Sequence, residues 1–232
     1  MLVDIFSCFD DKNMIFMDKY MMVWVFSISL ISTVGLSLTV KPVRVTQLLK
    51  SPKEVMFSQV ARTLGRELGG MPLFLSGLFL FLILVNLSGL LPYVFSASSH
   101  LTLALAIGLP VWLLLVVSGS AFNPKATIAS LLPPGAPSPL NPFLVLIETV
   151  SLLVRPLTLS VRLAANMSAG HIVLGLTGNF LTACVLGSPF SSSTAVLLLV
   201  QVFYTIFEFA ICVIQAYIFC LLITLYSDEH ST

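Results

Sequence analysis

Long stretches without a charged residue alternate with short polar segments along this chain. Residues 20–40 contain no Asp, Glu, Lys or Arg, and neither do residues 68–124. A membrane-crossing helix needs about 20 predominantly apolar residues, so the first stretch predicts one span. The second predicts a hairpin of two spans, over 72–91 and 101–121, separated by a turn that contains proline and serine. A proline-rich loop without helix is predicted over 123–139.

Two further apolar segments predict helices that are too long to stand upright in a bilayer. Asn141-Pro142 is a helix cap followed by proline at the first helical position, and the predicted helix runs over 141–177. A second helix is predicted over 192–226. At 1.5 Å per residue each is about 50 Å long, whereas the hydrocarbon core is about 30 Å thick. We therefore expect a long, strongly tilted hairpin over 141–226.

The segment that follows the first span is basic and amphipathic. Residues 41–67 carry six Lys and Arg side chains against two Glu. Apolar residues recur at every fourth position, at Met56, Val60, Leu64 and Leu68. We predict an amphipathic helix over 52–68, with Pro52 at its first position, that lies on the membrane surface; a solvated connecting helix is the alternative. By the positive-inside rule this segment stays on the side of synthesis, so the N-terminus is translocated and the C-terminus is not.

The composition agrees with this pattern. The chain has 232 residues, of which 57% are hydrophobic and 9% are charged, whereas soluble domains carry about 25% charged residues. We predict an all-α integral membrane protein, a single membrane domain over 1–232 with five membrane-crossing helices and the surface helix. The net charge of +1 argues against nucleic acid as a partner. The four cysteines lack metal-ligand spacing, so neither a metal nor a cofactor is expected.

Ionisable side chains inside the long helices are rare and regularly spaced. Glu148, Arg155 and Arg162 are seven residues apart. Seven residues turn a helix by about 700°, so the three lie on one slowly drifting stripe. His171 lies nine residues beyond Arg162 and points away from it, roughly 13 Å along the axis. An ionisable residue inside a membrane indicates a functional site by default.

The second long helix carries a polar stripe with the same spacing. Its members are Gln201, Glu208, Gln215 and Glu229, and Asp228 flanks its end. We interpret Gln201 as a helix–helix contact and not as a conductor. For Gln215 both roles stay open.

The charges suggest two proton routes separated by an arginine. Carboxylates and a histidine, whose ordinary pKa is about 6.5, can relay protons. Arg162 cannot, because arginine stays protonated in proteins; it is a fixed positive barrier that holds a carboxylate of a partner. Structural interpretations stay open as well. They are a salt bridge between Arg162 and Glu208, an interfacial position for Arg155, orientation of the guanidinium by Asn166, and a helix–helix hydrogen bond of Asn86.

Three motifs then point to one family. They read NLSGLLPY at 86–93, LTLSVRLAANMSAGH at 157–171 and EFAICVIQAYIF at 208–219. Together they resemble the signature of subunit a of F-type ATP synthases, called subunit 6 in mitochondria. The motifs occur in the order typical of that family, and the resemblance covers residues 20–227.

The resemblance assigns roles around Arg162. It implies that Arg162 faces a rotating ring of c subunits, the c-ring, whose carboxylate is the mobile carrier. It implies that His171, Glu208 and Gln215 line a half-channel open to the intermembrane space. Asn166 and Asn86 belong to the matching motifs as supporting residues.

The resemblance also implies a second half-channel, open to the matrix. Glu148 falls on it, and Glu229 or the adjacent Asp228 is its terminal carboxylate. Arg155 departs from the glutamine of many animal relatives, so no role is transferred to it. The implied setting is the mitochondrial inner membrane, with the c-ring, other membrane subunits, peripheral-stalk subunits and the lipid bilayer as partners.

The expected function is proton conduction that drives ATP synthesis, while the ATP chemistry lies on other subunits. A secondary transporter with a site at the membrane midplane is an alternative, although no internal repeat is present. A structural subunit that conducts nothing is another. Sodium in place of protons stays open on physical grounds.

Overall fold

The computed structural model describes residues 25, 29, 32, 44–63, 69–91, 96–132, 140–187 and 191–228. Every regular element within these residues is a helix. The α-helices are α1 (Arg44–Val60), α2 (Met71–Gly89), α3 (Leu101–Phe122), α4 (Pro124–Ser130), α5 (Asn141–Gly187) and α6 (Ser192–Asp228), and a 3-10 turn (Ala97–Ser99) lies between α2 and α3.

Four of these helices are long and apolar enough to cross a membrane. They are α2, α3, α5 and α6, which correspond to four of the five predicted spans. The predicted first span lies outside the described residues, except for Val25, Ser29 and Ser32, which are helical. The all-helical class and the four apolar helices are therefore confirmed.

The predicted boundaries of the amphipathic helix are wrong. Helix α1 begins at Arg44 and passes through Pro52, because a proline removes one ladder hydrogen bond without necessarily ending a helix. It ends at Val60, where the amide of Thr63 turns back to the Val60 carbonyl at 3.1 Å. Met56 and Val60 are fully buried, in agreement with the predicted apolar stripe. The last five residues of the predicted helix, 64–68, lie outside the described residues.

The prediction that residues 123–139 contain no helix is also wrong. Helix α4 begins at Pro124, where the missing N–H costs nothing because the first helical positions have no intrahelical acceptor. The Asn123 carbonyl accepts a hydrogen bond from the Thr127 amide at 3.1 Å. Residues 133–139 lie outside the described residues.

The two long helices are longer than predicted. Helix α5 has 47 residues and α6 has 37, or roughly 70 Å and 55 Å at the usual rise. Helix α5 continues ten residues past the predicted end at 177, because Gly178 and Asn179 lower helix propensity without blocking a helix. Both helices exceed a hydrocarbon core of about 30 Å.

The chain divides into two compact units. The first comprises Met1–Lys41, Leu80–His100 and Leu163–Tyr217. Leu82, Val85 and Met167 are buried in it. At Gly89 on α2, a Cβ atom would lie 3.2 Å from the Met167 side chain and 3.1 Å from the Ser96 Cβ. Glycine therefore allows α2 to pack closely against α5 within this unit.

The second compact unit comprises Pro42–Phe79, Leu101–Arg162 and Ile218–Thr232. Helices α3 and α5 approach closely in it at Gly108, where a Cβ atom would lie 2.8 Å from Ser160 Oγ and 3.4 Å from Leu159 Cδ2. The Ser160 hydroxyl donates to the Pro156 carbonyl at 2.8 Å. Helix α5 passes Pro156 without a break.

Candidate functional site: a polar seam in the first unit

Within the first unit, α5 and α6 bring polar groups together at three levels. The levels are Asn166 with Gln215, Gly170 with Glu208, and Thr177 with Gln201, and we name these six residues the polar seam. The two helix segments are antiparallel, so seven residues forward from Gly170 to Thr177 match seven residues back from Glu208 to Gln201. The stripe predicted on the second helix therefore faces matching positions on the first.

The level closest to Arg162 along the chain joins two side-chain amides. Asn166 Nδ2 donates to Gln215 Oε1 at 2.7 Å, and Gln215 is buried. This bond offsets the cost of burying polar groups, which is about 1–3 kcal/mol for an unpaired one. The fold thus brings together two predicted site residues from separate helices.

The middle level holds a buried carboxylate. Glu208 is only 2% exposed and packs against Gly170, where a Cβ atom would lie 2.5 Å from the carboxyl carbon. His171 follows Gly170, is half-buried, and interacts electrostatically with Glu208. Tyr204, one turn before Glu208 on α6, is close enough for its hydroxyl to interact with that carboxylate. The buried carboxylate, the half-buried imidazole and the half-buried phenol therefore form one electrostatically coupled cluster.

This cluster has capacity for proton exchange. Within the described part of the chain, no Lys or Arg forms an ion pair with Glu208. His171 Nε2 is buried and has no hydrogen-bond partner among the described residues. A buried carboxyl group beside an imidazole with an open ring nitrogen is suited to accept and pass on a proton.

The third level lies two helical turns beyond Gly170 along α5, on the side away from Arg162. Thr177 Oγ1 hydrogen-bonds Gln201 Oε1, and both side chains are half-buried. The sequence pattern indicates a structural contact for Gln201 and does not identify Thr177. The pairing depends on the register of two antiparallel helices, which a single-helix stripe does not reveal.

Helix α2 covers part of the first unit near the middle level. Asn86 is fully buried, and its Nδ2 donates to the Cys212 carbonyl at 3.4 Å. Cys212 Sγ lies 3.6 Å from Met167 Sδ. The Asn86 Oδ1 is buried without a hydrogen-bond partner among the described residues. Asn86 therefore links α2 to α6, in agreement with the helix–helix interpretation.

The second unit holds a different charged cluster. Arg155 Nη2 lies 3.4 Å from Glu148 Oε1, and the Arg155 guanidinium lies 5.1 Å from the centre of the Tyr226 ring. The Glu148 side chain is 37% exposed and the Arg155 side chain 20%. The fold thus pairs a predicted site residue, Glu148, with an arginine to which the sequence assigns no role.

Arg162 stands apart from both clusters. It lies on the exposed side of α5, beside the exposed Val161. Among the described residues, none forms a hydrogen bond or an ion pair with its side chain. A central charge costs about 2.5–3.5 kcal/mol even on membrane-insertion scales. An exposed guanidinium on an apolar helix therefore needs a counter-charge that the described residues do not supply.

The remaining predicted carboxylates lie at the C-terminal end. Asp228 is exposed and is the last residue of α6. Glu229 lies outside the described residues. The described part of the chain also contains no group of His, Cys, Asp and Glu residues that could hold a metal ion.

Besides Thr177, three contributors to these sites are not predicted from the sequence. Gly170 carries no side-chain chemistry that would single it out in the sequence, yet it makes room for the Glu208 carboxylate. Tyr204 and Tyr226 are not among the candidates. A tyrosine four residues before a buried glutamate is the available signal for Tyr204, whereas Tyr226 meets Arg155 only through the fold.

Comparisons with known proteins agree with the three motifs. The family described as ATP synthase A chain matches residues 15–228. A protein of Tetraodon nigroviridis named ATP synthase F(0) complex subunit a is 45% identical over 151 residues, which are 65% of this chain and 65% of that protein. The protein of the same name from Struthio camelus is 45% identical over 159 residues, 68% of this chain and 69% of that protein.

A further relative gives a similar result. The protein of Albinaria caerulea named ATP synthase subunit a is 46% identical over 145 residues, which are 62% of this chain and 66% of that protein. The chain spans about two thirds of the length of the curated relatives it matches. Because the family match extends over most of the 232 residues, the chain belongs to the ATP synthase A chain family, that of F-type ATP synthase subunit a.

Proposed function

We propose that this chain is the proton-conducting stator subunit of the membrane sector of an ATP synthase. It provides two offset half-channels that load and unload protons on a rotating c-ring, and so couples proton flow to ATP synthesis on other subunits. The observation that carries the proposal is a buried carboxylate–imidazole cluster between α5 and α6, together with an arginine of α5, Arg162, that has no partner among the described residues. The names of the relatives, all subunit a of ATP synthases, support it.

The first half-channel leads from the intermembrane space to the c-ring. Protons reach His171 and Glu208, and pass along the Asn166–Gln215 level toward a c-subunit carboxylate. Two features support this route. Glu208 and Gln215 are buried on the same face of α6, and the residues opposite them, Gly170 and Asn166, lie on one face of α5. Protons therefore pass between polar groups on the facing sides of two otherwise apolar helices.

Arg162 separates the two half-channels. A permanent positive charge repels a proton that would otherwise cross directly, and it favours the ionised form of the arriving c-ring carboxylate. The exposure of Arg162 and its lack of a partner among described residues support this role. The counter-charge then belongs to the c-ring and changes with rotation.

The second half-channel leads to the matrix. Glu148 accepts the proton released from the c-ring, and Asp228 or Glu229 passes it to the aqueous phase. The half-exposed position of Glu148 and the exposure of Asp228 support this assignment. A proton that falls through 100 mV releases about 2.3 kcal/mol, so several are needed for each ATP.

The membrane arrangement follows from the same proposal. A fifth span over 20–40 precedes α1, which lies on the matrix surface, and residues 72–121 form the two-span hairpin. The long hairpin of α5 and α6 faces the c-ring, within one membrane domain of the mitochondrial inner membrane. The N-terminus lies in the intermembrane space and the C-terminus in the matrix, alongside peripheral-stalk and other membrane subunits.

The test is proton-driven ATP synthesis by the complete synthase in proteoliposomes. We expect Arg162→Ala to lower the rate by about a hundredfold or more, the scale of losing one essential electrostatic group. The matched control is Arg62→Ala, at an exposed arginine in the turn after α1, which should leave the rate unchanged. A near-normal rate of ATP synthesis by the Arg162→Ala synthase would contradict the proposal. If ATP synthesis required sodium, the conducted ion would be sodium and not the proton.

The transporter alternative makes a different prediction. It requires a polar site at the midplane, whereas a cavity of about 480 Å³ in the second unit is almost entirely apolar. Its lining contains no ionisable side chain and consists of Gly69, Gly70, Met71, Phe74, Pro110, Val111, Leu114 and Ser118. Solute uptake by the isolated chain would favour the transporter, and proton flux that survives loss of every charge in α5 and α6 would favour a structural role.

A further inference from the structure

The outermost level of the polar seam has a feature that a purely structural contact does not need. The Thr177 hydroxyl contacts the Gln201 amide oxygen and shares its one hydrogen between that oxygen and the Val173 and Leu174 carbonyls, and the Gln201 amide nitrogen keeps two donor hydrogens. Among the described residues that nitrogen has no hydrogen-bond partner, and Gln201 is half-buried and not closed off. Thr177 therefore orients the Gln201 amide with its donor side free.

The adjacent level has an open group of its own. His171 Nε2 is buried without a partner among the described residues, and Glu208 lies beside it. Seven residues separate Gln201 from Glu208, or about 10 Å along the helix. A proton cannot cross that distance in one hydrogen bond of about 3 Å. Water must therefore bridge it, and a water needs about 2–4 polar partners to stay ordered.

The polar seam is also one-sided. Polar groups continue from Asn166 past His171 to Thr177, whereas on the Arg162 side of Asn166 the next buried residues of α5 within the first unit are Ala164 and the fully buried Leu163. Water held at the Gln201 level can thus reach the Glu208 cluster from the side of the α5–α6 turn. Leu163 offers no polar group that would extend such a line toward Arg162.

We infer that Thr177 and Gln201 are positioning residues at the outer end of the first half-channel, where they hold the water chain that delivers protons to His171 and Glu208. Neither side chain carries the proton itself, because a threonine hydroxyl and an amide do not titrate near neutral pH. The inference rests on the proposed function and extends it by one level of the polar seam.

The first experiment measures passive proton conduction per assembled complex, with the complete synthase in proteoliposomes. Thr177→Val removes the hydroxyl at nearly constant shape, and Gln201→Leu removes the amide. We expect each to lower conduction by about fivefold, equivalent to about 1 kcal/mol on the barrier. Thr177→Ser, which keeps the hydroxyl, should conduct normally.

The matched control is Thr182→Val on the same helix. The Thr182 hydroxyl is exposed and bonds only the Asn179 carbonyl, at 2.8 Å. We expect normal conduction from it. If Thr177→Val conducts like Thr182→Val in fully assembled complexes, Thr177 is only a structural contact and the inference is overturned.

A second measurement covers the case in which Gln201→Leu impairs assembly. Gln201→Cys should react with a membrane-impermeant thiol reagent added from the intermembrane-space side, and the reaction should block conduction. Leu199→Cys, on the exposed side of the same helix, should react much more slowly because it faces lipid, and the unsubstituted synthase gives the background of the native cysteines. An assembled Gln201→Cys complex that does not react contradicts the inference.

The role of Thr177 and Gln201 and the proposed function are tested by different variants. Arg162→Ala, measured in the same proteoliposomes, tests the proposed function itself. Loss of synthesis in Arg162→Ala together with normal conduction in Thr177→Val and Gln201→Leu rejects only the role of the outer level. Normal synthesis in Arg162→Ala rejects the function and the inference together.

Discussion

The two carboxylates of the long helices are held in opposite ways. In the first unit, Glu208 is buried and has no Lys or Arg partner among the described residues. In the second unit, Glu148 is partly exposed and lies 3.4 Å from the Arg155 guanidinium. The neighbour of Glu148 is a guanidinium, which stays protonated, whereas the neighbour of Glu208 is an imidazole, which can itself bind and release a proton. The comparison separates a partly exposed carboxylate with a permanent counter-charge from a buried one whose neighbour can take part in a proton relay.

The largest effect is expected at the buried carboxylate. Glu208→Gln keeps the shape and hydrogen-bonding capacity of the side chain but cannot carry a proton. We expect proton conduction to fall by about a hundredfold or more, as for loss of a positioned acid–base group, with the complex still assembled. The control is Thr205→Val, at a threonine of the same helix that bonds only the Val202 carbonyl. Full conduction by Glu208→Gln would remove Glu208 from the route.

A smaller effect is expected at the glycine beside it. Gly170→Ala places a methyl group 2.5 Å from the Glu208 carboxyl carbon, and such overpacking costs about 1–3 kcal/mol. We expect a lower temperature of complex dissociation and reduced conduction. Gly175→Ala is the matched control, because a Cβ atom there meets nothing within 4 Å; it should be neutral or slightly stabilising. If the two variants had the same dissociation temperature and the same conduction, the Glu208 side chain would be able to move away from the added methyl group without loss of stability.

The smallest effect is expected in the charged cluster. Arg155→Gln removes the ion pair with Glu148 and the contact with Tyr226. Partly exposed ion pairs contribute about 0.2–1 kcal/mol, so thermal stability of the complex should fall slightly and conduction by less than about threefold. Arg155→Lys should restore most of the loss. A collapse of conduction as large as that in Glu208→Gln would erase the contrast between the two carboxylates.

The sequence predicts the helices better than their ends. Predominantly apolar stretches of sufficient length identify α2, α3, α5 and α6, because the bilayer imposes a minimum apolar length. The predicted ends are wrong at Pro52 and Pro124, since proline is compatible with a helix at positions that only the local fold determines. The predicted end of α5 is too early because glycine and asparagine weaken a helix without stopping it.

The candidate site is predictable as stripes but not as pairs. The spacing of seven is enough to put Gln201, Glu208 and Gln215 on one face of α6. Their partners are not predictable in the same way, because the register between two helices depends on the turn and on packing between them. Gly170 is the clearest example: a glycine carries no chemistry of its own, and its importance appears only when the carboxylate opposite it is known.

The sulfur contact between Met167 and Cys212 lines this region with two oxidisable groups. Both side chains are buried, their sulfur atoms are 3.6 Å apart, and Cys212 lies one turn after Glu208. Thioether and thiol groups are weak hydrogen-bonding groups, so they give the Glu208 cluster a nearly apolar wall. Oxidation of Met167 to the sulfoxide would introduce a polar oxygen into that wall. Oxidative damage at one methionine would then admit water where the intact helices exclude it.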